Sequence, residues 1–212
     1  MKAGSLGFPT FIEYILNNKY IQPLGEIVKT IKRVQPLLIL FLAVVFLFPI
    51  KGFTNPVHKS SDILKVGQPL PDATLKSYGT ADVEIKSLKG KIKIISIVPQ
   101  LNTPVCDKQT HALSETNDGL DKQVDIITIS TNTADGQYMF SMKANIHNLV
   151  FLSDNPDFQF GRKTGLLIDG MGVLRRTVIV ADQNNIIRYV DFVPGGGLPN
   201  IKKALEAARD LL

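Results

Sequence analysis

Residues 92–107 decide the fold, and they read IKIISIVPQLNTPVCD. The first seven, residues 92–98, are mostly β-branched and predict a buried strand. Pro99 ends this strand, because proline has no N–H to donate to a neighbouring strand. Thr103 and Pro104 then predict the start of a helix, with Thr103 at the N-cap and Pro104 at the first helical position. The stretch therefore predicts a strand, a short loop and a helix.

Cys106 lies in the first turn of this predicted helix. Unpaired backbone N–H groups and the positive end of the helix dipole favour a thiolate over a thiol at such a position. A lone cysteine is more often a small buried hydrophobic residue, and that alternative stays open. The strand, the proline and the Thr-Pro helix start favour the reactive interpretation.

Pro99, Thr103 and Cys106 form the pattern P-x-x-x-T-x-x-C, which resembles the active-site motif of the peroxiredoxins. The fuller string VPQLNTPVCD resembles that of the thiol peroxidase subfamily, and the similarity covers roughly residues 66–212. This resemblance implies a thioredoxin-like fold. It also implies a thiol-dependent peroxidase that reduces hydrogen peroxide or organic and lipid hydroperoxides, with Cys106 as the nucleophile that becomes a sulfenic acid.

Splitting a peroxide needs a thiolate, an O–O bond held in line with the sulfur, and a donor or positive charge for the departing oxygen. Thr103, three residues before Cys106, can place its hydroxyl beside the sulfur, and Pro99 shields the site from water. In thiol peroxidases an arginine matching Arg176 precedes a similar Val-rich strand, and its planar fork can hold both sulfur and oxygen. The neighbouring Arg175 is expected to point to solvent.

Thiol peroxidases usually carry a second, resolving cysteine, and the resemblance places that position at Ser141. The chain has one cysteine, so it can form neither an internal disulfide nor a CxxC pair. The sulfenic acid must then be reduced by an external thiol, either thioredoxin-like or of low molecular weight, or by a cysteine of another chain. The alternative function is a peroxide-sensing regulatory protein without sustained turnover. A second copy of the chain is also an expected partner, in a homodimer.

No cofactor, metal or nucleic-acid partner is expected. The three histidines, His58, His111 and His147, are scattered and lack the spacing of a metal site. The glycine run at residues 195–197 lacks the Lys-Ser/Thr that completes a phosphate-binding loop. The net charge of +5 resides mainly in residues 1–51, which hold six basic residues against two acidic ones. The excess of basic over acidic residues therefore gives no reason to expect that residues 52–212 bind nucleic acid.

The chain divides into four predicted parts. Residues 1–35 are a leader that has two short amphipathic patterns, and residues 36–50 are an uncharged apolar run. This run is shorter than the ~20 residues of a usual spanning helix. It is either a retained transmembrane anchor or the core of a cleaved signal peptide, and we favour the anchor. Residues 51–65 form a tether, and residues 66–212 form the globular domain.

Basic residues before the apolar run predict that the N-terminus stays in the cytoplasm. The globular domain is then expected on the extracytoplasmic side of the inner membrane, or secreted or periplasmic if the signal is cleaved. Within that domain, strands alternate with helices and a hairpin over residues 177–190 follows. This order predicts an α/β fold in which helices cover both faces of a mixed sheet. Met139, Phe140 and Met142 either line an apolar entrance or pack in the core.

Overall fold

A five-stranded mixed sheet forms the centre of the protein, whose computed structural model describes residues 64–212. The nine strands are β1 (Thr74–Leu75), β2 (Val83–Glu84), β3 (Lys93–Ile97), β4 (Asp125–Ser130), β5 (Val150–Ser153), β6 (Leu167–Ile168), β7 (Val173–Leu174), β8 (Thr177–Ala181) and β9 (Ile187–Phe192). The α-helices within residues 64–212 are α1 (Pro104–Glu115), α2 (Ala134–Ala144), α3 (Gln159–Thr164) and α4 (Ile201–Arg209).

The central sheet has the order β5-β4-β3-β8-β9. Strands β3, β4 and β5 are parallel, and the crossovers between them carry α1 and α2. Strand β8 pairs antiparallel with β3, and β9 pairs antiparallel with β8. The pairs β1–β2 and β6–β7 form two small antiparallel sheets. The chain passes from the carboxyl end of β3 through a short loop into α1. The functional groups of a parallel sheet usually lie at the carboxyl ends of its strands.

The strands bury side chains on both faces, because successive residues of a strand point to opposite sides. On one face, Ile94, Ile126 and Val178 pack with residues of α1 and α4. On the other face, Ile95, Ile127 and Ile179 pack with Phe160 of α3 and with the small sheet β1–β2. The continuous β-branched runs of β3, β4 and β8 are thus explained by helices or hairpins covering both sides.

The expected α/β, thioredoxin-like arrangement of a mixed sheet and flanking helices is confirmed. The strand predicted before Pro99, the helix predicted to start at Thr103 and Pro104, and the hairpin predicted over residues 177–190 all form, as β3, α1 and the pair β8–β9. Asn200 caps α4, since its Oδ1 accepts the N–H of Lys203 at 3.0 Å. The hairpin β6–β7 was not predicted, because its strands are only two residues long; Gly170 and Gly172 in its turn adopt positive φ values of 80° and 63°.

The leader of residues 1–35 and the apolar run of residues 36–50 lie outside the described residues, as does most of the tether. Leu64, assigned to the end of that tether, is 5% exposed and packs in the core, so packing begins before the predicted boundary at Val66. Between residues 64 and 212, no helix combines the length and the apolar content needed to cross a membrane.

Candidate active site

The start of α1 forms as the sequence predicts. Thr103 occupies the N-cap with an extended backbone, Pro104 begins the helix, and the carbonyl of Thr103 accepts the N–H of Asp107 at 2.9 Å. The Thr103 side chain, however, makes no cap hydrogen bond; its hydroxyl donates to the carbonyl of Gln100 at 3.0 Å. The backbone N–H groups of the first turn are thus left without this side-chain acceptor.

Cys106 is both buried and chemically partnered. Its side chain is 1% exposed and packs with Val98, Leu101 and Phe140. Its sulfur accepts a hydrogen bond from Nη2 of Arg176 at 3.2 Å. A structural cysteine does not need a buried guanidinium beside it, and burying that cation is costly unless it is hydrogen-bonded. The contact therefore supports the reactive interpretation of Cys106, although the sulfur lies in the core.

Arg176 is held by a chain of buried hydrogen bonds. Its side chain is 6% exposed, and Nη1 donates to Oε1 of Gln109 at 2.6 Å. The amide Nε2 of Gln109 donates in turn to Oγ of Ser96 in β3 at 2.8 Å. This chain fixes the guanidinium between the sheet and the first turns of α1. As expected, the neighbouring Arg175 is exposed.

Sequence reasoning missed Gln109 and Ser96. Gln109 lies three residues after Cys106, so both side chains share one face of α1. Ser96 is a polar residue within the β-branched run of β3. These two signals were present in the sequence, but only the packing of α1 on the sheet shows that they meet.

The Nε nitrogen of Arg176 differs from Nη1 and Nη2, which each donate a hydrogen bond. Among the described residues, Nε is a buried nitrogen with no hydrogen-bond partner. A buried donor left unpaired costs free energy, so native structures seldom contain one without a reason. The planar guanidinium presents its N–H groups as a fork, which suits two adjacent acceptors. With Nη2 on the sulfur, Nε is available to an oxygen that approaches the sulfur.

Two other proposed site residues, Thr103 and Pro99, lie on the segment between β3 and the first turn of α1. Thr103 is half-buried, and within the described part of the chain its hydroxyl makes no hydrogen bond to Sγ of Cys106. Pro99 is half-buried two residues after the end of β3. The structure thus brings Arg176 to Cys106, whereas the Thr103 hydroxyl would need to rotate to reach it.

A cavity of about 730 Å³ lies between α1 and α2. It is lined by Leu101, Asn102, Thr103, Asp107, His111, Gly136, Met139, Phe140, Lys143 and Ala144. Cys106 is covered and does not line the cavity, but Thr103 and Asp107 on either side of it do. Phe140 fits both alternatives, because it lines this cavity and also packs in the core. Met142 is 51% exposed and does not line the cavity.

Ser141, at the expected resolving position, lies on α2 and is 9% exposed. Its hydroxyl donates to the carbonyl of Tyr138 at 2.8 Å. Within residues 64–212, no group of three or more His, Cys, Asp or Glu side chains is placed to hold a metal ion.

The chain is similar to known redox proteins over this region. The family model described as Redoxin matches residues 65–205. The thiol peroxidase of Staphylococcus haemolyticus is 32% identical over 161 residues, which cover 74% of this chain and 95% of that protein. The thiol peroxidase of Streptococcus pneumoniae is 34% identical over 158 residues, with 74% and 96% covered.

Solved structures show the same similarity. A peroxiredoxin-like protein from Aquifex aeolicus aligns with a TM-score of 0.64 and 28% identity, covering 70% of this chain and 88% of that one. The thiol peroxidase from Chromobacterium violaceum aligns with a TM-score of 0.60 over 71% of this chain and 91% of that one. At 19% identity, this second similarity concerns the fold alone.

Proposed function

Since this chain belongs to the redoxin family, as a thiol peroxidase of the peroxiredoxin type, we propose that it reduces hydrogen peroxide and organic hydroperoxides through Cys106. The observation that carries the proposal is the hydrogen bond from Arg176 to the Cys106 sulfur, formed by two buried side chains 70 residues apart. The family relationship supports the reaction, and this contact supports Cys106 and Arg176 as residues that perform it.

In the first step, the thiolate of Cys106 attacks one oxygen of the hydroperoxide and the O–O bond breaks. The sulfur becomes a sulfenic acid, and the other oxygen takes a proton and leaves as an alcohol or as water. Nη2 of Arg176 donates to the attacking sulfur, and the Nε–H stabilises charge on the peroxide oxygens. Thr103 turns its hydroxyl from the Gln100 carbonyl toward the bound peroxide, and Pro99 keeps water away.

In the second step, an external thiol attacks the sulfenic sulfur and water leaves. A second external thiol then attacks the resulting mixed disulfide, so that the disulfide of the two external thiols leaves and the Cys106 thiolate is restored. An external thiol is required, because the chain has a single cysteine and Ser141 stands at the resolving position.

A stopped-flow assay of peroxide decay tests the proposal with the full-length protein, solubilised in mild detergent and supplied with dithiothreitol. We expect many turnovers per protein molecule and no acceleration by the Cys106→Ser variant. A wild-type rate no greater than that of free dithiothreitol, or an unchanged rate in the variant, would contradict it. Sustained turnover also separates the enzyme from the peroxide-sensing alternative, which the named thiol peroxidase relatives do not favour.

The membrane placement is a further proposal. Residues 36–50 anchor the chain in the inner membrane and leave the domain on the extracytoplasmic side, and a membrane position makes lipid hydroperoxides a suitable substrate class. Recovery of the intact chain in a membrane fraction supports the anchor, whereas a shortened soluble form indicates signal cleavage. Equal rates with bulky and small hydroperoxides would remove the support for lipid substrates.

The homodimer is a separate proposal. Sedimentation analysis of the full-length protein tests it.

A further inference from the structure

The side chain of Asn132 joins the loop before α1 to the end of the neighbouring strand. Backbone pairing between β3 and β4 continues one residue past β3, where the N–H of Val98 donates to the carbonyl of Ile129 at 3.0 Å. Pro99 has no N–H with which to extend this pairing. Further along the loop, Leu101 donates its N–H to Oδ1 of Asn132 at 2.9 Å. A side-chain amide therefore takes over the role of a backbone acceptor where the sheet ends.

Asn132 is itself held in place by the carboxyl ends of β4 and β5. Its Oδ1 also accepts the hydroxyl of Ser130 at 3.1 Å, and its N–H donates to the same hydroxyl oxygen at 3.3 Å. Its carbonyl accepts the hydroxyl of Ser153 at 2.6 Å. Ser130 is fixed in turn by Gln137 of α2, whose Nε2 donates to it at 2.9 Å. A side chain supported by such a network holds its partner in one position.

Leu101 connects this support to the reactive centre. Its side chain is fully buried and belongs to the same core cluster as Cys106. It also lies inside the turn that leads into α1, because the N–H and the hydroxyl of Thr103 both donate to the carbonyl of Gln100, at 3.3 Å and 3.0 Å. The bond from Leu101 to Asn132 therefore fixes this turn, and the Thr103 hydroxyl with it, relative to the central sheet.

From these contacts we infer that Asn132 is a positioning residue for the attack of Cys106 on peroxide. It acts through Leu101: the bond to Oδ1 keeps the loop of residues 99–103 at one depth on the sheet, so that Thr103 and the first turn of α1 meet the peroxide in a fixed geometry. A displacement of about 1 Å at a reacting centre can cost about 10² in rate. The inference rests on the proposed function and adds a residue that does not touch the reacting atoms.

Two substitutions at Asn132 test this inference in the full-length protein in mild detergent. Asn132→Ala removes the acceptor, and the rate constant for sulfenic acid formation with hydrogen peroxide should fall about tenfold or more. Asn132→Asp has the same shape and a carboxylate that accepts both bonds, from Leu101 and from Ser130, so its rate should stay within threefold of the wild type. A wild-type rate in Asn132→Ala, or an equal loss in Asn132→Asp, would overturn the inference.

The matched control is Asn148→Ala. Asn148 is half-buried like Asn132, and its Oδ1 accepts the hydroxyl of Ser114 at 2.7 Å while its Nδ2 donates to Asp121 at 3.2 Å. The control therefore loses side-chain hydrogen bonds between distant segments without touching the loop of residues 99–103. Its melting temperature should fall and its rate should equal that of the wild type. A rate loss equal to that of Asn132→Ala would attribute the effect to general destabilisation and overturn the inference.

Amide hydrogen exchange tests the support of the loop without using its chemistry. Exchange of a hydrogen-bonded amide requires that bond to open, so exchange at Leu101 should become about tenfold faster in Asn132→Ala and return to the wild-type rate in Asn132→Asp. Unchanged exchange in Asn132→Ala would show that other contacts hold the loop, and the inference would be wrong. The proposed function fails separately: if the wild type forms no sulfenic acid with peroxide, the peroxidase chemistry is wrong, while the exchange rates still decide whether Asn132 holds the loop.

Discussion

The substitution Arg176→Lys tests whether the fork of Arg176, rather than its charge alone, splits the peroxide. Arg176 contacts Gln109 through Nη1 at 2.6 Å and the Cys106 sulfur through Nη2 at 3.2 Å. Its Nε has no hydrogen-bond partner within residues 64–212. Lysine keeps the positive charge but carries it on one nitrogen at the end of a flexible stem. That nitrogen cannot occupy all three places, so the sulfur and the peroxide oxygen lose at least one fixed donor.

The expected magnitude follows from this lost donor. Removing one preorganised donor from a site where negative charge develops usually costs about 10²–10³ in rate. We therefore expect the second-order rate constant for sulfenic acid formation to fall about a hundredfold in Arg176→Lys.

The assay is quenched-flow mixing with peroxide, followed by trapping of the sulfenic acid and mass spectrometry. Arg175→Lys is the matched control, because Arg175 is the exposed neighbour of Arg176, and its rate should equal that of the wild type. Thermal unfolding of both variants shows whether the fold is kept. A folded Arg176→Lys protein within threefold of the wild-type rate would refute the reasoning, since charge alone would then suffice.

Three further predictions concern the surrounding residues. Gln109→Leu should slow sulfenic acid formation at least tenfold, because it leaves Nη1 of Arg176 without its acceptor. A hydrogen bond to a charged group is worth about 1.5–3 kcal/mol. The control is Thr128→Val, which removes a buried hydroxyl that has no partner in the described part of the chain and should keep the wild-type rate. Thr103→Val should slow the reaction about tenfold or more. The melting temperature should change little, since the hydrogen bond that the Thr103 hydroxyl makes within residues 64–212 is local. A rate equal to the wild type would remove Thr103 from the site. Burial lowers the pKa of Lys93 below 10.5, so the native state binds fewer protons than the unfolded chain, and the free energy of unfolding should rise with pH between the lowered pKa and 10.5. Urea unfolding measured at increasing pH up to 10.5 should show this rise in the wild type and a smaller one in Lys93→Met.

The sequence by itself determined the strand, the loop and the helix start that place Cys106 in the first turn of α1. Local rules suffice there, because Pro99 cannot continue a strand and Pro104 fits the first turn of a helix. The sequence also excluded an internal disulfide by its cysteine count. Arg176 entered only through a resemblance, because nothing local distinguishes it from Arg175.

Only the tertiary structure decided which groups meet the sulfur. The antiparallel register pairs Ile97 with Thr177, so Arg176 lies at the carboxyl end of β3, where the loop to Cys106 begins. The same packing brings Gln109 and Ser96 into one chain of hydrogen bonds, and the Thr103 hydroxyl points to a backbone carbonyl instead. These outcomes depend on register between distant strands and on side-chain rotamers, and residue spacing along the chain specifies neither.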